Sequence, residues 1–175
     1  MKFEDLIAKV HSCGRQTLAV AAAEDDAVLE AVAEAHKQGI ADAILVGDEP
    51  AIRKIAADLQ IDLSDYRIIH EPDKAAAAHT AVKLAHDGEA DMYMKGLLDT
   101  KTFLKSILDK EVGLRTGQTL SHVAVFQVKG IEQLLFLTDV AFITYPTLED
   151  KVHIIENTVA VAHACGVECP KVAPL

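Results

Sequence analysis

Apolar positions along this chain alternate between helical spacing and short continuous runs. Phe3, Leu6, Ile7 and Val10 share a helical period and end before Gly14, while Thr17–Ala22 is an apolar run that predicts a short buried strand. Helical spacing returns with Val28, Leu29 and Val32, behind Asp25 or Asp26 as cap and ahead of Gly39 as stop. Ala43–Val46 predicts the next strand and closes on Gly47-Asp48. Asp48 then caps a helix with Pro50 in its first turn and Ile52, Ile55, Ala56 and Leu59 facing inward. Tyr66–His70 predicts a third strand, Glu71-Pro72-Asp73 opens an alanine-rich helix through His86, and Met92–Lys95 predicts a fourth strand. Thr100–Leu108 completes the series as a helix with Phe103, Leu104, Ile107 and Leu108 inward. Four β-α repeats predict the α/β class: an open parallel sheet with right-handed crossovers and helices on both faces.

The rhythm changes after Gly117. Leu120–Val128 and Gln133–Thr138 are strand-like runs separated only by Lys129–Glu132, which predicts an antiparallel β-hairpin. A helix follows from Leu148 to about Cys165, with Val152, Ile155, Val159 and Ala162 on one face, and Pro170–Leu175 has the look of a further strand. Residues 1–116 therefore read as a first α/β domain. Residues 117–175 read as the beginning of a second, incomplete α/β domain containing the hairpin.

Charge narrows the partners. A net charge of −10 disfavours nucleic acid, which is bound by neutralising phosphates with Lys and Arg. Local charge runs the other way between Asp91 and Arg115, where Lys95, Lys101, Lys105, Lys110 and Arg115 outnumber Asp91, Asp99, Asp109 and Glu111. No apolar run reaches the roughly 18 residues of a membrane span, and MKFEDLIAKV lacks the plan of a signal peptide, so no membrane partner and a cytoplasmic location are expected. The three cysteines, Cys13, Cys165 and Cys169, are expected to be buried structural thiols, since C-x3-C with one nearby histidine falls short of a zinc site; no metal is expected.

Candidate chemistry collects where strands end. There is no G-x-G-x-x-G after a strand, no G-x-x-x-x-G-K-[ST] and no G-x-S-x-G. Lys95-Gly96 lies at the end of the fourth strand, where open α/β sheets bind ligands, and Gly96 would let backbone come close to one. Asp99 or Thr100 would cap the next helix, whose N-terminus faces the same place. The same spacing also describes a plain strand–turn–capped-helix junction. Lys105 follows on that helix, and Arg115 sits in Gly113-x-Arg115-x-Gly117, a loop suited to holding a guanidinium against phosphate or carboxylate, or simply a surface loop. Ser121-His122 opens the hairpin; adjacent strand residues point to opposite faces, and Ser121 is the better candidate to face a ligand. Asp139 ends the second hairpin strand, where it can bond ligand or backbone. The other histidines (His11, His36, His70, His79, His86, His153, His163) read as surface or packing residues.

Ala41–Gly47 (ADAILVG), Ala90–Thr100 (ADMYMKGLLDT), Glu111–Phe126 (EVGLRTGQTLSHVAVF), Leu134–Pro146 (LLFLTDVAFITYP) and Pro170–Leu175 (PKVAPL), in this order and spacing, resemble the phosphate acetyl/butyryltransferase family, on its butyryltransferase side. The resemblance implies an acyltransferase: acyl-CoA, here butyryl-CoA, plus phosphate giving acyl phosphate plus CoA. It implies two α/β domains of isocitrate dehydrogenase-like fold with the active site in the cleft between them. Phosphate would attack the thioester directly within a ternary complex, with CoA as a substrate and no other cofactor, and full-length members form homo-oligomers. Lys95, Gly96, Thr100, Lys105, Arg115, Ser121 and Asp139 would line one side of that cleft. The Ser-Arg pair and aspartate usually assigned to catalysis in the family would lie beyond Leu175, so no catalytic residue is assigned here. Lys105 stands where the family usually has arginine, keeping charge without bidentate geometry, and Ile143 stands where asparagine is usual. Two alternatives stay open: a phosphate acetyltransferase, since a methylene changes acyl-chain preference by only about 1–3 kcal/mol, or a catalytically silent ligand-binding or regulatory module.

Overall fold

A computed structural model describes residues 2–174 and divides the chain into two compact units, Val10–Arg115 and Met1–Lys9 with Thr116–Leu175. In the first unit four parallel strands, β1 (Gln16–Ala21), β2 (Ala41–Gly47), β3 (Arg67–His70) and β4 (Met92–Lys95), lie in the order β3-β2-β1-β4. Register is set from the centre: Leu18 pairs with Ala43 on one side and with Met92 on the other. The helices α2 (Asp26–Lys37), α3 (Glu49–Asp58), α4 (Lys74–His86) and α5 (Thr100–Ile107) connect and follow the strands.

Alternation along the two central strands builds two cores. Ala19 and Ala21 of β1 and Ile44 and Val46 of β2 join Ala77, Ala78, Ala81 and Leu84 of α4, with Leu98 sealing the end. Val20, Ala43 and Leu45 point the opposite way, to Leu29 and Val32 of α2 and Ile52 and Ala56 of α3. Covering both faces of a parallel sheet demands apolar residues at consecutive positions, which is why β1 and β2 read as unbroken runs. Alanine dominates the α4 side because small side chains let the helix lie close to the sheet.

In the second unit α1 (Phe3–Ser12), assigned to the first domain from sequence, has its residues up to Lys9 grouped with the hairpin. Phe3 N–H donates to Gln127 Oε1 at 2.8 Å, and the Lys9 ammonium donates to the Ala164 carbonyl at 2.7 Å. The hairpin is antiparallel as expected, yet β5 (Ala124–Phe126) and β6 (Leu135–Leu137) are only three residues each. α6 (Leu148–Cys165) opens on a capping box, in which Thr147 and Asp150 bond each other's backbone, and ends at left-handed Gly166.

Several sequence expectations are corrected. Asp48 occupies the N-cap of α3 but makes no side-chain capping bond there; its N–H instead points to Glu24 Oε2. Leu108 falls just past α5 and is 49% exposed. Of the stripe expected inward on α6, Ala162 is buried and Ile155 and Val159 are half-buried, but Val152 is exposed, and Ile154, outside that stripe, is buried. Pro170–Pro174 forms no strand, and Leu175 lies outside the described residues. Cys13 and Cys169 are exposed and Cys165 half-buried, all free: the first two lie at the end of a helix and beyond one, where no core reaches them. Among the described residues no helix is long and apolar enough to cross a membrane, and no group of three His, Cys, Asp or Glu could hold a metal ion.

Candidate functional site

The strand order places a topological switch beside β1. The chain runs from β1 outward to β2 and β3, then crosses back to put β4 on the other flank, so the connections diverge at the carboxyl ends of β1 and β4, where open α/β sheets bind ligands. There the residue just past β1, Ala22, is held in the left-handed region at φ 53°. β4 is fastened against it: Gly96 N–H donates to the Ala21 carbonyl at 2.7 Å and Leu97 N–H to the Ala22 carbonyl at 2.8 Å. A Cβ on Gly96 would lie 3.0 Å from the Ala21 carbonyl oxygen and closer still to that of Ala22. The glycine is thus required by the neighbouring strand, a constraint that its place in the sequence does not reveal. Ala22 gives no sign of this in the sequence, because alanine in the left-handed region leaves no trace in composition.

Lys95 and Thr100 bracket the following turn. The Lys95 ammonium donates to the Leu98 carbonyl at 2.8 Å, leaving two of its three N–H groups unspent. Asp99 caps α5, accepting from Thr102 N–H at 3.0 Å and from the Thr102 hydroxyl at 2.6 Å, and Thr100 is the first helical residue. The Thr102 hydroxyl and then its N–H hold the Asp99 carboxyl below the usual carboxylate range. Because the folded value is lowered, the cap contributes stability above the ordinary carboxylate pKa and loses it as pH falls through the folded value. We predict that Asp99→Asn, which caps without ionising, removes this dependence. A stability difference between wild type and variant that stays flat through the acid range, measured by denaturant unfolding, would refute it.

α5 itself is locked to β4. The Tyr93 and Phe103 rings stack at 4.9 Å, and the Ser106 hydroxyl donates to the Phe103 carbonyl at 2.7 Å. Ser106 Oγ also lies 2.8 Å from the Tyr93 hydroxyl; with its own hydrogen spent, it accepts from Tyr93. Burial pushes the Tyr93 phenol up, consistent with a neutral donor. Lys105 lies on the exposed side of this helix.

The chain then turns through Asp109, whose carboxylate accepts from Glu111 and Val112 N–H at 2.8 and 3.0 Å. Leu114 N–H donates to the Ile107 carbonyl at 2.9 Å, and His86 Nδ1, facing a carbonyl, donates to Gly113 O at 3.1 Å. A Cβ on Gly113 would meet the Asp109 and Ile107 backbone, so this glycine too serves the loop's own packing. Arg115 ends the unit, exposed and without a hydrogen bond or ion pair among the described residues.

Ser121 and Asp139 belong to the second unit and are linked through His122. His122 N–H donates to Asp139 Oδ2 at 3.1 Å, and Asp139 Oδ1 accepts from Ala141 and Phe142 N–H at 2.8 and 3.0 Å. Partial burial pushes the Asp139 carboxyl up, but these three N–H groups outweigh it and leave it lowered. Its main engagement is with backbone, the turn role that the sequence left open. The Thr138 hydroxyl donates to His122 O at 2.5 Å, Phe142 meets the His122 ring edge-on, and His122 Nδ1 is buried with no partner among the described residues. Ser121 Oγ accepts from Asn157 Nδ2 at 2.8 Å, a contact that only the fold reveals.

Thus the first unit gathers Lys95, Gly96 and Thr100 at the switch, with Lys105 further along α5 and Arg115 after the loop. The second unit carries Ser121, bonded to Asn157, and Asp139, bonded to the backbone of His122, Ala141 and Phe142. The comparisons agree with this architecture. Residues 2–78 and 71–175 match the model of the family described as phosphate acetyl/butaryl transferase. The chain is 56% identical over 99% of its length to the phosphate butyryltransferase of Clostridium acetobutylicum. It is 38% identical, again over 99%, to the phosphate acetyltransferase of Thermotoga maritima. It spans 58% of the length of each of these relatives. A branched-chain phosphotransacylase from Enterococcus faecalis superposes with a TM-score of 0.76 at 28% identity, covering 89% of this chain and 54% of that one. A phosphotransacetylase from Streptococcus pyogenes, at 17% identity and TM-score 0.77, shares the fold over 94% of this chain and 60% of its own. With the family model matched from residue 2 through residue 175 and the same fold in a solved phosphotransacylase, the chain belongs to the phosphate acetyl/butaryl transferase family.

Proposed function

We propose that this chain supplies substrate-binding groups of an acyltransferase that moves a butyryl group between CoA and inorganic phosphate. The observation that carries the reading is the 56% and 54% identity to two clostridial phosphate butyryltransferases. At 38% the chain is equally similar to a probable phosphate butyryltransferase of Bacillus subtilis and to the Thermotoga phosphate acetyltransferase, so that depth of likeness speaks for acyl transfer and not for chain length. The step from 38% to above 50% is what favours butyryl. In this reading CoA enters as a substrate with no further cofactor, the reaction runs in the cytoplasm, and the working form is a homo-oligomer.

The chemistry asks for cations that hold phosphate and for donors aimed at developing charge. Arg115 offers an unengaged guanidinium fork, Lys95 two spare N–H groups, and Lys105, Thr100 and Ser121 further donors. A second reading, binding without turnover, is favoured by one observation: Asp139, the only acid among the seven candidates, is held by three backbone N–H groups and kept ionised, a poor start for proton transfer.

Calorimetric titration of the chain with CoA and with inorganic phosphate, together with phosphate-dependent thiol release from butyryl-CoA and acetyl-CoA, tests both. Saturable binding and faster release from butyryl-CoA is the expected result. Binding without phosphate-dependent release selects the second reading, equal rates on the two esters remove the butyryl assignment, and no binding of either probe ends both readings. Arg115→Ala is expected to weaken CoA or phosphate binding about tenfold, the effect of one charge-assisted contact. Unchanged affinity for both would remove Arg115 from the site.

A further inference from the structure

One side of α6 carries a polar ladder. Asp150, His153 and Asn157 recur at helical spacing and all three reach the segment Thr119–Ser121. Thr119 Oγ1 lies 2.9 Å from His153 Nδ1 and 3.4 Å from Asp150 Oδ1. Asn157 Nδ2 lies 3.1 Å from the Thr119 carbonyl oxygen and 2.8 Å from Ser121 Oγ.

The Thr119 contact settles the chemistry of the Ser121 contact. An asparagine amide can face its neighbours with either end, and the neighbours decide which. A carbonyl oxygen only accepts, so the end turned toward Thr119 is the NH2 group. Its two hydrogens serve two acceptors, the Thr119 carbonyl and Ser121 Oγ. Since Ser121 Oγ accepts from Asn157, its own hydroxyl hydrogen points elsewhere, and no acceptor among the described residues takes it. Ser121 is half-buried, so this hydrogen, turned away from Asn157, still reaches solvent.

We propose that Asn157 is a positioning residue that makes Ser121 a preoriented hydroxyl donor to an anionic phosphate oxygen, of inorganic phosphate or of CoA. The inference rests on the acyltransferase reading above. A hydroxyl whose acceptor side is already engaged has fewer orientations to lose when its hydrogen meets the ligand, and a charged acceptor makes the resulting bond a strong one. The same amide ties down Thr119, which keeps Ser121 from sliding along the segment.

Asn157→Asp separates this role from bulk, because a carboxylate of the same size cannot donate and would draw the Ser121 hydrogen to itself. In the 15N-labelled chain, the Asn157 side-chain amide pair is identified by its absence from the N157D spectrum. It is then followed during titration with inorganic phosphate and, separately, with CoA. The expected result is a saturable shift of that pair, lost in Ser121→Ala, with affinity about tenfold weaker in either variant and no weaker in the double variant than in Ser121→Ala alone. Response to phosphate identifies inorganic phosphate as a source, response to CoA a phosphate of CoA, and either supports the proposal. If other amides report binding while the Asn157 pair stays still, or it shifts equally in Ser121→Ala, the inference falls and the acyltransferase reading stands. If no amide responds to either probe, both fall. Should N157D fail to fold, Ser121→Ala carries the comparison, since it removes a single oxygen.

Discussion

Gly96→Ala is expected to destabilise the first unit by about 3 kcal/mol, the upper end of what overpacking usually costs. The reason is what the new methyl would strike. It meets the carbonyl oxygens of Ala21 and Ala22, which are backbone atoms and cannot swing aside as a side-chain tip would. Those carbonyls also accept the Gly96 and Leu97 N–H groups that bind β4 to β1. Relief therefore requires the two strand ends to part, which breaks hydrogen bonds that then lie half-buried. Lys95 and Thr100 lie on either side of the glycine, so, if the chain binds CoA and phosphate as proposed, that binding is expected to weaken along with stability. Denaturant unfolding beside calorimetry checks both, and a variant of wild-type stability would show that β1 and β4 yield more easily than their hydrogen bonds indicate.

Leu45→Ala is expected to cost 2–5 kcal/mol, with the cavity left behind setting the value within this range. Leu45 is fully buried at the centre of β2, in a cluster with Val20, Leu29 and Ile52 from three different elements. Neighbours drawn from a strand and two helices cannot all collapse toward one void, so the loss is expected in the upper half of the range. Leu45→Met, which conserves volume, is expected to cost under about 1.5 kcal/mol. The unfolding midpoints of the two variants provide the check, and equal midpoints would count against a tightly packed core on this face.

The first unit was legible because each of its signals was local. The apolar runs at β1 and β2, the polar residues that open α2, α4 and α5, and the glycines after helices are statements about neighbours in sequence, and the fold keeps them, choosing Asp25 over Asp26 and Asp99 over Thr100 as caps. Expectations went astray where distant contacts decide. Val152 has the spacing of an inward position and shares it with Ala162, yet contacts beyond the helix leave Val152 exposed and bury Ile154 instead. Gly96 stands out in the sequence as a glycine at a strand end, but its steric constraint comes from Ala21 and Ala22, more than seventy positions away. Among site residues, charge and strand ends pointed to Lys95, Thr100 and Arg115. Asn157 gave no signal at all, because an asparagine on a helix becomes informative only once Thr119 and Ser121 stand opposite its amide.

The fastening of Gly96 and Leu97 to the end of β1 also sets a rule for redesign. The mouth of the switch cannot be widened by letting the two strands drift apart, because backbone contacts clamp them together. A change in what fits there has to come from exchanging side chains on a fixed frame, with Lys95 and Thr100, which bracket the turn after β4, as the positions to vary. Libraries that randomise Gly96 would spend most of their members on chains that do not fold.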